Sequence, residues 1–509
     1  MITLQSFLEG RWVEGKGAAE ELLNPATEEV VGEVSTAGLD LGAALHHARI
    51  HGNPAMRALT FKERGALLRS LSKAIHGMRD ELLADATLNG GCTHKDGKFD
   101  IDGAWGTLAA YADLADTLGE GTLLPDGESI QLGRSPRLHG LHVRAPRAGV
   151  AVLINAFNFP AWGMAEKAAT AILAGMPIFV KPAAPTALVA WKIARAWADL
   201  FPTGAFAFLA GAPNDLIEHL DYRDALAFTG SSRTGALLRA SGAVTERGVP
   251  LAVEADSLNA AVLGPDVELG SELGDLFVAD VIREMTQKAG QKCTAFRRIF
   301  VPRERAADFS ERLAGELARV KVGNPADAGV TMGPLTTRAQ IATVRERLGA
   351  FKDGAQTVFE PSSTPERGLF CGPLLFARDG VREGDVVHHE ELFAPIATVI
   401  AYDGSANEAA AGVTYGRGGL QASVYSDDKS FLRDLVLTIA PHHGRVSIGS
   451  SKIVGQAMPP GMALPQLLHG GPGRAGGSEE LGGLRGCAFY TQRVALQGDR
   501  ALLLDLAGR

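Results

Sequence analysis

VAVLINA (Val150–Ala156) is a seven-residue run in which only Asn155 is polar. It is too short for a buried helix and rich in branched apolar side chains, so it reads as a strand covered on both faces. The helical stretch Ala165–Ala174 follows, ended by Gly175, and then a second strand, PIFVK (Pro177–Lys181). A second helix is expected over Thr186–Leu200. AFAFLAG (Ala205–Gly211), ALAFTG (Ala225–Gly230) and PLAVEA (Pro250–Ala255) continue the strands, with a helix over Thr234–Ser241 between the last two. Strand–helix–strand alternation at this spacing predicts an α/β fold with a parallel sheet covered on both sides.

Past Glu254 the alternation resumes with AAVLG (Ala260–Gly264), a helical stretch Ser271–Lys288 and the strand RRIFVP (Arg297–Pro302). Helical segments Arg303–Val320 and Thr336–Lys352 follow, which predicts a second α/β unit. Its end is blurred by the Gly- and Pro-rich segment Ile448–Gly483. Two strand-like segments, Glu128–Arg147 and Gly486–Gln497, fit neither unit. Orphan strands of this kind suit pairing outside their own domain, including contact between subunits.

A chain of 509 residues suggests two to four such units at roughly 150 residues each. With 46% apolar and 21% charged residues, it is neither disordered nor a fibre, and no repeat period suggests a solenoid. Fifty basic against 58 acidic residues give a net charge of −8, which offers nucleic acid no general attraction. Glycine is abundant, at 61 residues, as close backbone approach around a ligand requires. Cys92, Cys293, Cys371 and Cys487 are far apart without a CxxC pair, so neither a disulfide frame nor a structural metal is expected. MITLQSFLEG at the start has no basic leader, and no run of about 18 apolar residues reads as a membrane span. The expectation is a reducing, cytoplasmic setting with no membrane contact.

Cys293 lies in AGQKCTAF after a long helix, beside Gly290, where other atoms can come close to the backbone. Lys288 and Lys292 are expected to favour its thiolate, the form that attacks carbon. A buried small apolar residue is the other reading. Glu254 ends the strand PLAVEA, where α/β sheets place ligands, and reads either as a site carboxylate or as a solvated strand-end acid. Asn158, in AFNFP, reads as an Asx-turn residue or as a donor to an oxyanion.

Taken together, the motifs resemble the aldehyde dehydrogenase superfamily. They run from FLEGRWVEG (Phe7–Gly15) and NPAT (Asn24–Thr27) through FNFP, KPA, FTGS and GQKC. VGNP (Val322–Pro325), MGPL (Met332–Leu335), EELFAP (Glu390–Pro395) and GGLR (Gly482–Arg485) follow in family order. The resemblance implies a Rossmann-like dinucleotide-binding domain from 1–127 and 150–256 and a catalytic α/β domain from 257–465. It also implies a small β extension from 128–149 and 485–509 that joins subunits into a homodimer or homotetramer. Cys293 would attack the aldehyde, with the alkoxide held by the Asn158 amide and the Cys293 N–H. Glu254 would serve as general base for thioester hydrolysis, and Lys167, nine residues after Asn158, would assist the thiolate or else be a surface lysine.

For the cofactor, the resemblance places GSSRTG (Gly230–Gly235) under the pyrophosphate, with Gly230, Ser231 and Gly235 forming the helix-opening turn. Lys181 would meet the adenosine ribose and Glu391 the nicotinamide ribose, with Phe393 packed beside it. NAD-preferring members carry a glutamate at the position of Ala184, and its absence implies NADP, with NAD possible as well. VEADSLNAAVLG (Val253–Gly264) and LHGGPGRAGGSEELGGLRG (Leu468–Gly486) resemble the bacterial ring-cleavage dehydrogenases that oxidise CoA-linked semialdehydes. The expected substrate is 3,4-dehydroadipyl-CoA semialdehyde, from aromatic catabolism, because the chain stops at Arg509 without the hydratase domain of the phenylacetate enzymes. Gly-rich loops would open a tunnel for a pantetheine arm, with Arg474 or Arg485 as phosphate partners or as ordinary ion pairs. Rival readings are a dehydrogenase of free aldehydes, a CoA-acylating member, against which Glu254 counts, and an inactive binding or structural relative.

Overall fold

The computed structural model describes residues 1–508, so Arg509, the last residue of the expected 485–509 segment, lies outside the described residues. The strand Ala151–Ile154 is buried along its length and pairs in parallel with Ile178–Lys181 on one side and Ala225–Thr229 on the other. Leu251–Glu254 extends the sheet beyond Ala225–Thr229, and Phe206–Phe208 extends it beyond Ile178–Lys181. Numbered along the chain, the five parallel strands stand in the order 5-4-1-2-3. Ser6–Leu8 and Arg11–Val13 close the far edge in antiparallel register.

The second sheet has seven strands centred on Arg298–Pro302 and Ala260–Leu263, parallel except for the edge strand Gln356–Phe359. Helices cover both sheets, as expected for strands that are apolar on both faces. The predicted helices form with small shifts. Trp162–Ala174 begins one turn earlier than the sequence suggests, two residues after Pro160, and ends on Gly175 at φ 90°. Ala187–Trp197 and Ser232–Arg239 are shorter or offset by a few residues. The expected Ser271–Lys288 helix stops at Thr286. A helical layer over Phe61–Asp116 packs on the first sheet.

The two orphan strands are each other's partner. Leu138–Pro146 and Thr491–Asp499 pair antiparallel through nine residues, and Ile130–Gln131 and Leu124–Pro125 add to Leu138–Pro146. Within the Gly-rich tail, Leu468–Gly470 and Glu479–Leu481 form a short antiparallel ribbon with His469 directly opposite Glu480. Among the described residues, no helix is long and apolar enough to cross a membrane.

Candidate active site

The first sheet reverses its strand order beside Ala151–Ile154, and the carboxyl ends of its strands open there on a cleft of about 460 Å³. Doubly wound sheets take their ligands at such a crossover. Lys181, Gly230 and Ser231 line one part of the cleft, and Glu254, Cys293 and Phe393 another. A narrower pocket of about 50 Å³ is walled by Phe99, Phe159 and Trp162. Asn155, Asn158, Glu254 and Cys293 line both, so they stand at the junction.

Cys293 reaches that junction through a strained turn. After Thr286 the chain passes Lys288, Ala289 and Gly290 at φ 54°, 51° and 69°. A Cβ on Gly290 would lie 2.4 Å from the Ala394 carbonyl oxygen, so close backbone approach does require glycine here. Each non-glycine residue in this region costs on the order of 1 kcal/mol or more. Hydrogen bonds offset that cost. The Arg297 guanidinium donates to Gly290 O at 2.9 Å and Ala394 O at 2.8 Å. Asn259 Nδ2 donates to Cys293 O at 2.8 Å and Ala295 O at 3.0 Å, and Thr294 Oγ1 donates to Gly461 O at 3.0 Å.

The expectation that Lys288 and Lys292 serve the thiolate is corrected by their partners. Lys292 is wholly buried against Glu284 at 2.7 Å. Lys288 lies under the helical layer, 3.9 Å from Asp100 and over the Phe159 ring. Both charges are committed to other carboxylates. Burial, with the Glu254 carboxylate nearby, pushes the Cys293 thiol up to about 11, and His469 opposes that shift.

Glu254 is buried, which removes the reading as a solvated acid. Its Oε2 accepts from Thr229 Oγ1 at 3.3 Å and its Oε1 lies 3.3 Å from His469 Nε2. The same nitrogen is 3.9 Å from Cys293 Sγ. Burial opposes both charges, yet mutual attraction holds Glu254 below the usual carboxylate range and His469 above the usual imidazole range. Asn158 forms no Asx turn. Its Nδ2 donates one proton to Gln291 O at 3.0 Å, which fixes the amide at the junction.

Lys167 is not a surface residue but is 1% exposed. Its Nζ meets Glu480 Oε2 at 2.9 Å and Glu166 Oε1 at 3.6 Å. Burial works against its charge, but Glu480, Glu166 and Glu254 outweigh it and raise its pKa. Burial drives Glu166 up to about 7 and raises Glu480 as well. Carboxylate oxygens of Glu166, Glu254 and Glu480 lie within 4.8 Å of one another, a spacing suited to a shared proton.

The proposed dinucleotide residues divide. Lys181, Gly230, Ser231, Glu391 and Phe393 line the cleft, whereas Ala184 and Gly235 do not. Ala184 opens a short 3-10 turn and packs into the core beneath, leaving Ala183 on the wall. Gly235 brings the helix close to the neighbouring strand, since a Cβ there would meet Val253 Cγ1 at 2.9 Å. Glu391 is held by Arg297 at 3.1 Å and accepts from Ser257 N at 3.1 Å, while burial pushes its carboxyl up to about 7. Phe393 stands edge-on to Phe157 at 5.9 Å. Ser231 caps the helix Ser232–Arg239, and Asp256 accepts from Ser232 N at 3.1 Å. The remaining open cleft, with Lys181 on its wall and a helix N-terminus beside it, fits a dinucleotide.

From the Gly-rich tail, Gly461, Ala463 and His469 line the narrower pocket. Tail glycines serve close packing: a Cβ on Gly471 would lie 2.1 Å from Gly419 O, and one on Gly476 only 1.9 Å from Val253 O. Arg474 donates to His389 O at 2.6 Å, Arg485 is exposed, and neither lines the two cavities. Sequence reasoning passed over His469, Glu480 and Asn259. His469 stood inside the tail already recognised as unusual, but only its pairing opposite Glu480 brings both inward.

The sequence profile described as "Aldehyde dehydrogenase family" matches residues 12–492. The chain is 40% identical over 478 residues to 3,4-dehydroadipyl-CoA semialdehyde dehydrogenase of Aromatoleum evansii, covering 92% of this chain and 93% of that protein. It is 26% identical to aldehyde dehydrogenase family 7 member A1 of Pisum sativum, over 78% of this chain and 76% of that one. Among solved structures, a lactaldehyde dehydrogenase superposes with a TM-score of 0.86 at 23% identity, covering 98% and 99% of the two chains. An NAD+ complex of an aldehyde dehydrogenase from Bacillus cereus superposes with a TM-score of 0.84 at 22% identity, covering 98% and 97%. The α/β architecture is the aldehyde dehydrogenase fold, and the chain belongs to the aldehyde dehydrogenase family.

Proposed function

We propose that this enzyme oxidises a CoA-linked semialdehyde to the acid through a thioester on Cys293. The convergence of Cys293, Glu254 and Asn158 on the junction of cleft and pocket carries this reading. Cys293 Sγ attacks the aldehyde carbon to give a thiohemiacetal, whose alkoxide is held by the second Asn158 N–H and the Cys293 N–H. One such donor contributes about 3 kcal/mol in related sites. A bound nicotinamide dinucleotide supplies the acceptor for the hydride, which leaves a thioester. Glu254 turns from His469 toward the water that hydrolyses the thioester and takes its proton. The carboxylates of Glu166 and Glu480, with Lys167 between them, supply a route for that proton to leave.

We assign 1–127 and 150–256 to the dinucleotide, 257–465 to catalysis, and 128–149 with 485–509 to subunit contact in a homodimer or homotetramer. Lys181, Gly230, Ser231, Glu391 and Phe393 would hold the dinucleotide. We assign NADP as the preferred form, because the cleft wall near Lys181 carries Ala183 where a carboxylate would repel a 2′-phosphate of roughly −1.5 to −2 charge. Ala183→Glu, which puts an acid on the cleft wall beside Lys181, is expected to shift kcat/KM from NADP toward NAD by at least about tenfold, or 1.4 kcal/mol. Steady-state rates with both cofactors check it. An unmoved ratio would place phosphate recognition elsewhere.

The substrate assignment rests on the 40% identity to the Aromatoleum evansii enzyme. Contacts made by the CoA moiety, remote from the reacting carbon, orient the aldehyde and raise kcat/KM. A CoA-linked C6 semialdehyde is expected to exceed a free aldehyde of equal length by at least about tenfold in kcat/KM. Equal values would leave a dehydrogenase of free aldehydes.

A further inference from the structure

We infer that His469 is a catalytic residue of this site, whose imidazolium lies between Glu254 and Cys293 and stabilises the thiolate that forms when the sulfur ionises beside the carboxylate. The inference rests on the reading of Cys293 as nucleophile and adds what that reading lacks. Glu254 stands close enough to Cys293 to disfavour a second negative charge, and the two lysines near Cys293 in sequence are paired elsewhere. One Nε2 lies 3.3 Å from Glu254 Oε1 and 3.9 Å from Cys293 Sγ. A single positive charge between two negative ones satisfies both.

The surroundings favour that charge. His469 is buried on the ribbon directly opposite Glu480. It meets Glu254 and Cys293, and the carboxylates of Glu166 and Glu480, both bound to Lys167, lie within 4.8 Å of that of Glu254. Glu254, 3.3 Å from Nε2, favours retention of the imidazole proton against the cost of burial. Arg297 and Arg445 also act on Cys293, but Arg297 is bound to Glu391, and Arg445 donates to Gln421 and to Pro460 O. On ionisation the S–H bond breaks, the thiol proton leaves to water, and His469 keeps its own. The thiolate lone pair then forms the S–C bond to the aldehyde.

The test is the pH profile of Cys293 alkylation by iodoacetamide in the full-length enzyme, read by mass spectrometry of its peptide. Imidazolium lowers the thiol pKa, so His469→Phe raises it and shrinks the thiolate fraction near neutral pH. The variant is expected to react at least about tenfold more slowly there, with its profile moved up by about one pH unit or more. At alkaline pH, where both thiols are ionised, the two rates should meet. His469→Gln, which keeps a hydrogen-bonding amide without a charge, should show the same shift and carries the test if the Phe variant does not fold. Coincident profiles, a loss equal at every pH, or wild-type behaviour of the Gln variant would overturn the inference. Cys293→Ala separates the two ideas. If that variant retains turnover, the nucleophile reading fails. If it is inactive while the alkylation profiles coincide, only the role of His469 fails.

Discussion

Cys293→Ala is expected to lower aldehyde oxidation by at least about four orders of magnitude while dinucleotide affinity stays within a few-fold of wild type. The sulfur stands where cleft and pocket meet, so its loss removes the atom proposed to form the thiohemiacetal. Lys181, Gly230, Ser231 and Glu391 are untouched by the change. Cofactor fluorescence titration and steady-state rates on the same preparation check both halves. Cys92, Cys371 and Cys487 are buried outside that junction, and their thiols are pushed up to about 11 or 12 by burial. Alanine at any of them should leave turnover within a few-fold of wild type. Substantial turnover by Cys293→Ala would mean that another group makes the covalent bond.

Glu254→Gln is expected to separate acylation from hydrolysis. Glutamine fills the same space but takes no proton, so the thioester should accumulate and a burst of reduced cofactor precede a slow steady state. A positioned general base contributes about 10²- to 10⁴-fold, and the steady-state rate should fall by that factor. The wild-type pH profile constrains the same group. His469 and Lys167 hold the Glu254 pKa below the usual carboxylate range, so its charge is lost only as pH falls through that lowered value. Ordinary carboxylate titration should therefore leave hydrolysis largely unaffected. A steady-state rate near wild type in the variant, with no burst, would require a different base.

The parallel strands and most of the helices around them were legible from local pattern. Apolar runs of four to seven residues and the stop at Gly175 are short-range properties, and the structure keeps them. The orphan strands were legible as strands but not as partners, because Leu138–Pro146 and Thr491–Asp499 are far apart in the chain. Charge near Cys293 misled. Lys288 and Lys292 are neighbours in sequence, yet the left-handed turn at Lys288–Gly290 and the buried partners Asp100 and Glu284 direct them elsewhere. Glycine abundance in the tail was legible, but not that Gly471 and Gly476 serve backbone packed against backbone.

By itself, the sequence determined the element types, the parallel sheet and the positions of Asn158, Glu254 and Cys293 at chain segments suited to a site. Those follow from local periodicity and ordered motifs, which need no knowledge of packing. Only the tertiary structure decided that Lys167 is buried between two carboxylates, that Ala184 faces the core, and that His469 bridges Glu254 and Cys293. His469 lies 176 residues from Cys293, and no local pattern encodes that approach. It comes from the ribbon folding back on the sheet, where Gly476 meets Val253 and His469 pairs opposite Glu480. Charge state follows from that burial, because desolvation and partner distance, not residue type, set which groups hold a proton.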